Sequence, residues 1–148
     1  MSQRDTVVFD LDGTLSDCSV RRHLVEGKDR DYEAFHARLQ EDPLNECCWL
    51  MMRAFSESGS EVVLVSARPT STKKATRKWL SDNGVVNYDK LFLLRPEGDF
   101  TPAAELKRAW LLNYGKERVL LAVDDCPKVA RMFREEGVPC LLCEGRGD

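Results

Sequence analysis

The sequence lacks several features that would assign it to a special class of protein. No apolar run approaches the roughly 20 residues that a membrane-spanning helix needs. Residues 1–6 are polar and lead directly into an apolar segment, so no secretory signal is expected. With only 9 glycines and 6 prolines, the chain is neither collagen-like nor of low complexity. We therefore expect a globular, cytoplasmic protein that makes no contact with membranes.

The sequence also lacks an excess of positive charge. Its formal net charge is -3, so the protein as a whole is not expected to bind nucleic acid stably or with high affinity. One short segment is basic, because it contains Lys73, Lys74, Arg77 and Lys78. Such a run could follow a nucleic-acid strand, but it is more often the solvated face of a helix. Any contact with a polyanion must therefore be local.

Disulfides and structural zinc are not expected, although the chain has 6 cysteines. A reducing cytoplasm keeps cysteines as thiols. Cys140 and Cys143 form a C-x-x-C pattern, but they lie in an apolar segment that is typical of a buried strand. Residues three apart on a strand face opposite sides of the sheet, and no second pair of ligands stands at a suitable spacing. A zinc site is therefore disfavoured.

Five short apolar segments predict five strands that are buried on both faces, as in a parallel sheet. The predicted strands are residues 7–11, 62–66, 91–94, 119–123 and 138–143. Between the later strands the apolar spacing predicts helices at residues 72–83, 102–114 and 127–136. This alternation predicts an α/β fold in which helices flank the sheet, and the length fits a single domain over residues 1–148.

The connection between the first two predicted strands is unusually long. Residues 12–61 separate them, far more than one crossover helix requires. Residues 31–40 and 44–58 both have helical patterns, and the second is apolar enough to pack on the sheet as the crossover helix. We expect residues 17–43 to form a small helical cap beside the end of the first strand. His36 lies in this segment and is expected to be a surface or packing residue.

The motif VVFDLDGTL, at residues 7–15, is the most informative stretch of the chain. It is a hydrophobic strand that ends in Asp10 and Asp12, which the alternation of a strand places on one side. Open parallel sheets bind ligands at this end of their strands. Paired carboxylates there favour a cation, although alone they could be solvated turn residues before Gly13.

Three further strand ends carry residues suited to a phosphate or a metal. Ser66 and Arg68 follow the second strand, Arg95 follows the third, and Asp124 and Asp125 follow the fourth. Each has a simpler explanation by itself, as a helix cap or a surface charge. Because a right-handed parallel sheet brings these ends to one edge, their coincidence favours a shared site.

These residues resemble the four motifs of the haloacid dehalogenase (HAD) superfamily of aspartate-nucleophile phosphatases. The motifs match residues 10–14, then Ser66, then a lysine upstream of the fourth strand, here Lys107, and finally Asp124-Asp125. The segments VVLVSARP, TRKWL, LLRPEGD, LAVDDCPKVARMFREEGVPC and EGRGD are similar to the 3'-phosphatase domain of bacteriophage polynucleotide kinase/phosphatase. The resemblance implies a Rossmann-like HAD fold and is weakest in residues 17–43.

The resemblance also implies a reaction, the hydrolysis of a phosphate monoester through an aspartyl-phosphate. In that scheme Asp10 is the nucleophile. Asp12 is the general acid and base, and we expect its pKa to be raised by the charge of Asp10. Ser66 and the backbone amides of the Gly13 turn would donate to phosphoryl oxygens. Lys107 would balance the charge, and Lys116 is the weaker candidate for that role.

Mg²⁺ is the cofactor that the resemblance implies. Its ligands would come from Asp10, the backbone carbonyl of Asp12, and Asp124, while Asp125 would act through water or orient the others. The sequence alone does not separate the roles of the two neighbouring aspartates. Arginine forks suit bidentate contacts to phosphate. The residues expected to bind substrate are Gly13, Thr14, Arg68 and Arg95.

The expected function is the removal of 3'-phosphates from nucleic-acid or nucleotide ends, with such an end as the binding partner. A second hypothesis is a phosphatase for free nucleotides or another small phosphorylated metabolite, because a short cap leaves an open site. No kinase activity is expected, since neither Gly27-Lys28 nor Gly115-Lys116 fits a phosphate-binding loop.

A non-catalytic phospho-receiver or binding domain is the alternative from another class. Receivers also have an acidic pair, an acceptor aspartate and a lysine on an α/β sheet, but their acidic pair comes first and their lysine late. Here the D-x-D-G-T pattern comes first and the Asp-Asp pair last. Dehalogenation of haloalkanoates is disfavoured too, because those relatives need neither the second aspartate nor a metal.

Overall fold

A computed structural model describes residues 4–144, in which five parallel strands form one sheet. The order across the sheet is β3-β2-β1-β4-β5, so β1 lies at the centre. The strands are β1 Thr6–Phe9, β2 Glu61–Pro69, β3 Lys90–Arg95, β4 Val119–Asp124 and β5 Cys140–Leu142. The predicted α/β fold class is confirmed. Of the C-terminal segment EGRGD, all but Glu144 lies outside the described residues.

Within residues 4–144, six α-helices connect the strands, and the predicted helices of the second half of the chain are confirmed to within one residue at either end. The helices are α1 Ser19–Arg22, α2 Tyr32–Ala37, α3 Glu46–Glu57, α4 Lys73–Asp82, α5 Ala103–Tyr114 and α6 Pro127–Glu135. Residues 31–40 were predicted as one helix, but α2 ends at Ala37 and a separate 3₁₀ turn, Leu39–Glu41, follows. Among the helices of residues 4–144, none combines the length and apolar character needed to cross a membrane.

The core consists of two apolar layers, one on each face of the sheet. Because side chains alternate along a strand, Phe9 and Leu64 face one layer, while Val8 and Val63 face the other. Helices α3 and α4 cover the first layer, and α5 and α6 cover the second. Two covered faces explain why the central strands are apolar without interruption.

The edge strand β5 differs from its prediction. Leu141 and Leu142 are 48% and 44% exposed, so the expectation of a strand buried on both faces is wrong. The strand has a neighbour on one side only, β4. The opposite orientation of the two cysteines is confirmed, since Cys140 packs in the layer with Val8 and Cys143 against the layer with Phe9. All six cysteines lie in the described residues and are free thiols.

The two ends of the segment at residues 17–43 lie next to each other. The backbone N–H of Asp17 donates to the carbonyl oxygen of Pro43 at 2.9 Å. Within this segment the guanidinium of Arg21 donates to both carboxylate oxygens of Asp42, at 2.7 and 2.6 Å. The indole N–H of Trp79 donates to the Asp42 carbonyl at 2.9 Å, which attaches the segment to α4. These contacts hold the segment beside the end of β1.

Truncating the core at Leu64 should strongly destabilise the protein. Leu64 lies on an interior strand with 0% exposure, so Leu64→Ala leaves a cavity and should lower the free energy of unfolding by roughly 2–5 kcal/mol. The matched control is Leu50→Ala on α3, where the side chain is 55% exposed and the change should stay within about 0.5 kcal/mol. Urea denaturation measures both variants, and equal losses at the two positions would contradict this assignment of the core.

Candidate active site

Lys107 of α5 reaches across the sheet edge to carboxylates from two different strands. Its Nζ donates to Asp10 Oδ1 at 2.8 Å and to Asp124 Oδ2 at 2.6 Å, and all three side chains are buried. Burial by itself would lower the pKa of Lys107, but the two carboxylates outweigh it and raise that pKa above its ordinary value. Lys116, the weaker candidate, lies at the surface and pairs with Glu136 at 3.2 Å.

Three aspartates lie together at this edge of the sheet. Asp10, Asp124 and Asp125 each offer a carboxylate oxygen, and these oxygens lie within 4.8 Å of one another. The pairing of β1 with β4 brings them together, since the N–H of Asp10 donates to the carbonyl oxygen of Val123 at 3.1 Å. Burial and the charge of Asp124 raise the pKa of Asp10 well above its ordinary value. Such a buried set of hard oxygen donors fits a divalent cation.

The turn at Gly13 passes directly against Asp125. Gly13 has φ 85°, and a Cβ built there would lie 2.1 Å from Asp125 Oδ2, so only glycine fits. Thr14 donates its hydroxyl to Asp10 Oδ2 at 3.3 Å. The N–H groups of Gly13 and Thr14 donate to the carbonyls of Ser16 and Leu11. These amides are therefore used within the turn, contrary to the expectation that they are free to donate to a phosphoryl group.

Asp12 lies between two buried arginines. Its carboxylate accepts hydrogen bonds from Arg68 Nη2 at 2.7 Å and from Arg21 Nη2 at 2.5 Å. Burial would raise the pKa of Asp12, but Arg68 and Arg21 outweigh it and hold that pKa well below its ordinary value. The prediction of a raised pKa is therefore wrong for this state of the protein, because the nearest charges are cations. Sequence reasoning missed Arg21, which lies in the segment that resembles the family least.

Arg68 and Arg95, the two arginines predicted to bind substrate, both make hydrogen bonds within the protein. Arg68 is buried, its Nη1 donates to Thr76 Oγ1 at 3.0 Å, and its backbone N–H donates to Ser66 Oγ at 3.1 Å. Arg95 donates to three backbone carbonyls, those of Ala67, Asp99 and Thr101, at 3.0, 3.1 and 2.8 Å. Arg95 thus fixes the loop that follows β3.

A cleft of about 1170 Å³ opens over these groups. Its sides come from the strand ends, from residues 17–43 and from the loop at residues 96–102. The predicted residues that line it are Asp10, Asp12, Ser66, Arg68, Arg95, Lys107, Asp124 and Asp125. Gly13 and Thr14 adjoin it through Asp125 and Asp10. The structure therefore brings all the predicted site residues to one region.

His36 also lines the cleft, although the sequence indicated only a surface or packing role. Its ring lies 5.3 Å from that of Phe35 and 6.4 Å from that of Tyr32. Burial lowers the pKa of His36 to about 4, and nearby arginines act in the same direction against the opposing effect of Asp12. The imidazole is therefore neutral at physiological pH.

Comparison with known proteins identifies the family. The model of the polynucleotide kinase PNKP phosphatase domain, a HAD family, matches residues 4–146. The chain belongs to this family. It is accordingly a HAD phosphatase, as the sequence motifs predicted.

Solved structures agree with this assignment. The Pnkp1/Rnl/Hen1 complex contains a chain that is 30% identical, with a TM-score of 0.75 over 93% of this chain and 45% of that one. The Pnkp1/Rnl/Hen1 RNA repair complex gives 28% identity and a TM-score of 0.75 over 93% and 41%. This chain thus spans less than half the length of both. A predicted phosphatase from Clostridium acetobutylicum shares the fold at 14% identity, with a TM-score of 0.68 over 93% and 83%.

Replacing His36 should reduce the loss of folding stability in mild acid. Because the pKa of His36 falls from 6.5 to about 4 on folding, only the unfolded chain binds a proton there between those values. The contribution of neutral His36 to the free energy of unfolding is therefore complete above about pH 6.5, and it declines as the pH falls toward about 4. We expect the free energy of unfolding of His36→Asn, measured by urea denaturation, to differ less between about pH 7.5 and about pH 5 than that of the wild type.

The matched control for this measurement is His23→Asn, which leaves His36 in place. If His36→Asn retains the full pH dependence of the wild type, then the half-buried imidazole does not have the lowered pKa assigned to it.

Proposed function

We propose that this chain removes 3'-phosphates from nucleic-acid or nucleotide ends, using Mg²⁺ and an aspartyl-phosphate intermediate on Asp10. One observation carries the proposal. Asp10, Asp124 and Asp125 converge beside the buried Lys107 at the base of a cleft, in a member of the PNKP phosphatase family.

Asp10 is well placed to act as the nucleophile. Lys107 holds its Oδ1 and Thr14 holds its Oδ2, so the orientation of the carboxylate is fixed before substrate arrives. Attack on phosphorus forms an aspartyl-phosphate and releases the 3'-oxygen, which takes up a proton. Water then attacks the phosphoryl group, which leaves as inorganic phosphate and restores the carboxylate. Division into two steps helps to overcome a barrier that enzymes must lower by about 20 kcal/mol or more.

The carboxylates of Asp10, Asp124 and Asp125 would hold Mg²⁺, together with the backbone carbonyl of Asp12. The lack of a Cβ at Gly13 supports this fit, because it leaves Asp125 room to lie against the turn. A bound cation supplies positive charge that offsets the phosphate dianion and favours the ionised form of Asp10. Lys107 provides a fixed positive charge to the same carboxylate.

Asp12 would transfer the proton to the leaving oxygen and later accept one from the attacking water. Arg68 and Arg21 hold its pKa low in the absence of substrate. A phosphate dianion that accepts hydrogen bonds from Arg68 would weaken one of these pairs and add negative charge beside Asp12. Both changes raise the pKa of a carboxyl group. Substrate binding would therefore prepare Asp12 to act as an acid.

We further assign residues 17–43 as a cap over this site. They line one side of the cleft, and Arg21 links them directly to Asp12. A cap in this position excludes water from the phosphoryl group and contacts the leaving group of the substrate. The position of the segment thus supports a role in substrate choice.

Asp10→Asn should reduce phosphate release by about 10⁴-fold or more, because an amide is not a nucleophile toward phosphorus. The amide oxygen can still accept from Lys107, so folding should be retained. The assay is phosphate release with Mg²⁺ present, with circular dichroism to check the fold. Asp82→Asn, the same substitution at an exposed position on α4, is the matched control. Substantial turnover by Asp10→Asn would exclude the covalent mechanism.

A substrate panel tests specificity and metal dependence together. The panel contains oligonucleotides with a 3'-phosphate or a 5'-phosphate, mononucleotides and small phosphorylated metabolites. We expect strong preference for 3'-phosphates, loss of activity in excess EDTA and recovery on addition of Mg²⁺. Equal activity on all members would reject the 3'-specific assignment in favour of a phosphatase for small metabolites. Full activity in EDTA would reject the role of the cation.

A further inference from the structure

Phe100 lies in the loop after β3, and it is unusually exposed. Its side chain is 84% exposed, the highest value among the large hydrophobic residues that the structure describes. Burial of such a ring would stabilise the fold, whereas an exposed ring contributes little to folding. Its position is therefore better explained by contact with a ligand than by packing.

The loop that carries Phe100 is fixed on both sides of the ring. Nη1 of Arg95 donates to the carbonyl oxygens of Asp99 at 3.1 Å and Thr101 at 2.8 Å, the residues that flank Phe100. Asp99 Oδ1 also accepts from the N–H of Thr101 at 2.7 Å. An apolar ring on a loop held in this way is preorganised, so that little conformational entropy is lost when it binds a ligand.

Phe100 lines the same cleft as the nucleophile. The cap adds further aromatic surface, since Tyr32 is 44% exposed and lines the cleft together with Phe35 and His36. The volume of about 1170 Å³ is much larger than a phosphate group needs. The cleft therefore has room for the group to which the phosphate is attached, and it offers that group aromatic surface.

The charges and rings of the cleft together select one class of occupant. Lys107 and Arg68 lie at its base, each paired with a carboxylate, and under the proposed function the phosphate would bind beside them. Arg22, Arg30 and Arg95 also line the cleft, together with acidic side chains of the cap and of the loop after β3. Aromatic rings then suit a flat, apolar group close to the phosphate. A nucleotide combines these properties, and every base presents a π face that can stack on an aromatic side chain.

We propose that Phe100 stacks on the nucleobase of the nucleotide whose 3'-phosphate is removed, and that Arg95 is the positioning residue for Phe100. This inference rests on the proposed function, and it adds that the protein binds the terminal base through the flat face of its ring. Stacking does not distinguish bases by hydrogen bonds, so all four terminal bases should be accepted at similar rates.

The test uses two oligonucleotides that differ only in the last nucleoside, which carries either a base or an abasic sugar, each with a 3'-phosphate. The wild type should bind the base-bearing substrate more tightly. Phe100→Ala should raise KM for that substrate about tenfold while kcat changes little, because the ring does not touch the reacting atoms. In Phe100→Ala, the ratio of the KM for the abasic substrate to the KM for the base-bearing substrate should therefore fall toward one.

Two further variants complete the design. Phe100→Trp preserves stacking and should keep the wild-type ratio. Val86→Ala is the matched control, because Val86 is a hydrophobic residue with 75% exposure on a different loop, and it should also keep the ratio. Circular dichroism confirms that each variant is folded.

The outcomes separate this inference from the proposed function. If Phe100→Ala raises KM equally for both substrates, or for neither, the stacking role is overturned. Release of 3'-phosphate by the wild type would still support the proposed function. If the wild type releases no phosphate from any 3'-phosphorylated oligonucleotide, the function fails and this inference fails with it.

Discussion

Negative charge that is removed from water must be balanced within a few ångströms, and this constraint organises the site. Asp10, Asp124 and Asp125 are buried together, and the ammonium of Lys107 lies between two of them. An unpaired buried charge costs several kcal/mol. The position of α5 over the sheet is thus tied to the ends of β1 and β4. Burial and the charge of Asp124 raise the pKa of Asp10, and a divalent cation would favour its ionised form.

A second group of ion pairs connects the loop that carries Asp12 to residues 17–43. Helices α1 and α2 have only 4 and 6 residues, too few to be stable in isolation. Arg21 compensates by donating to Asp42 within the segment and to Asp12 at the site. Residues 17–43 are therefore held in place partly through Asp12. A change in the charge of Asp12 would act directly on the contact between the Asp12 loop and residues 17–43.

Under the proposed function, the fold would separate the chemistry from the recognition of the leaving group. Strand ends hold the carboxylates rigidly, since β1, β2 and β4 are interior strands of the sheet. Loops and residues 17–43 surround the rest of the cleft, where variation is tolerated without loss of the core. Arg95 belongs to this second part, because it fixes the loop of Phe100 instead of contributing a carboxylate partner.

Much of the fold was predictable because its signals are local. Apolar runs and glycine-terminated helices located the strands and most helices, and the edge position of β5 was missed because neighbours in a sheet are not local. The convergence of the aspartates at the ends of β1 and β4 was predictable for a different reason, since every parallel sheet brings the C-terminal ends of its strands to one edge. Lys107 came from the order of the family motifs alone.

The sequence by itself determined the type of fold, the acidic residues of the site and the chemistry they favour. Only the tertiary structure decided the partners of Asp12, the hydrogen bonds of Arg95 and the partial burial of His36. The physical reason is that a pKa depends on distances between charges in space, and separation along the chain does not give those distances. Arg21 and Arg68 lie far from each other in sequence, yet both contact the same carboxylate.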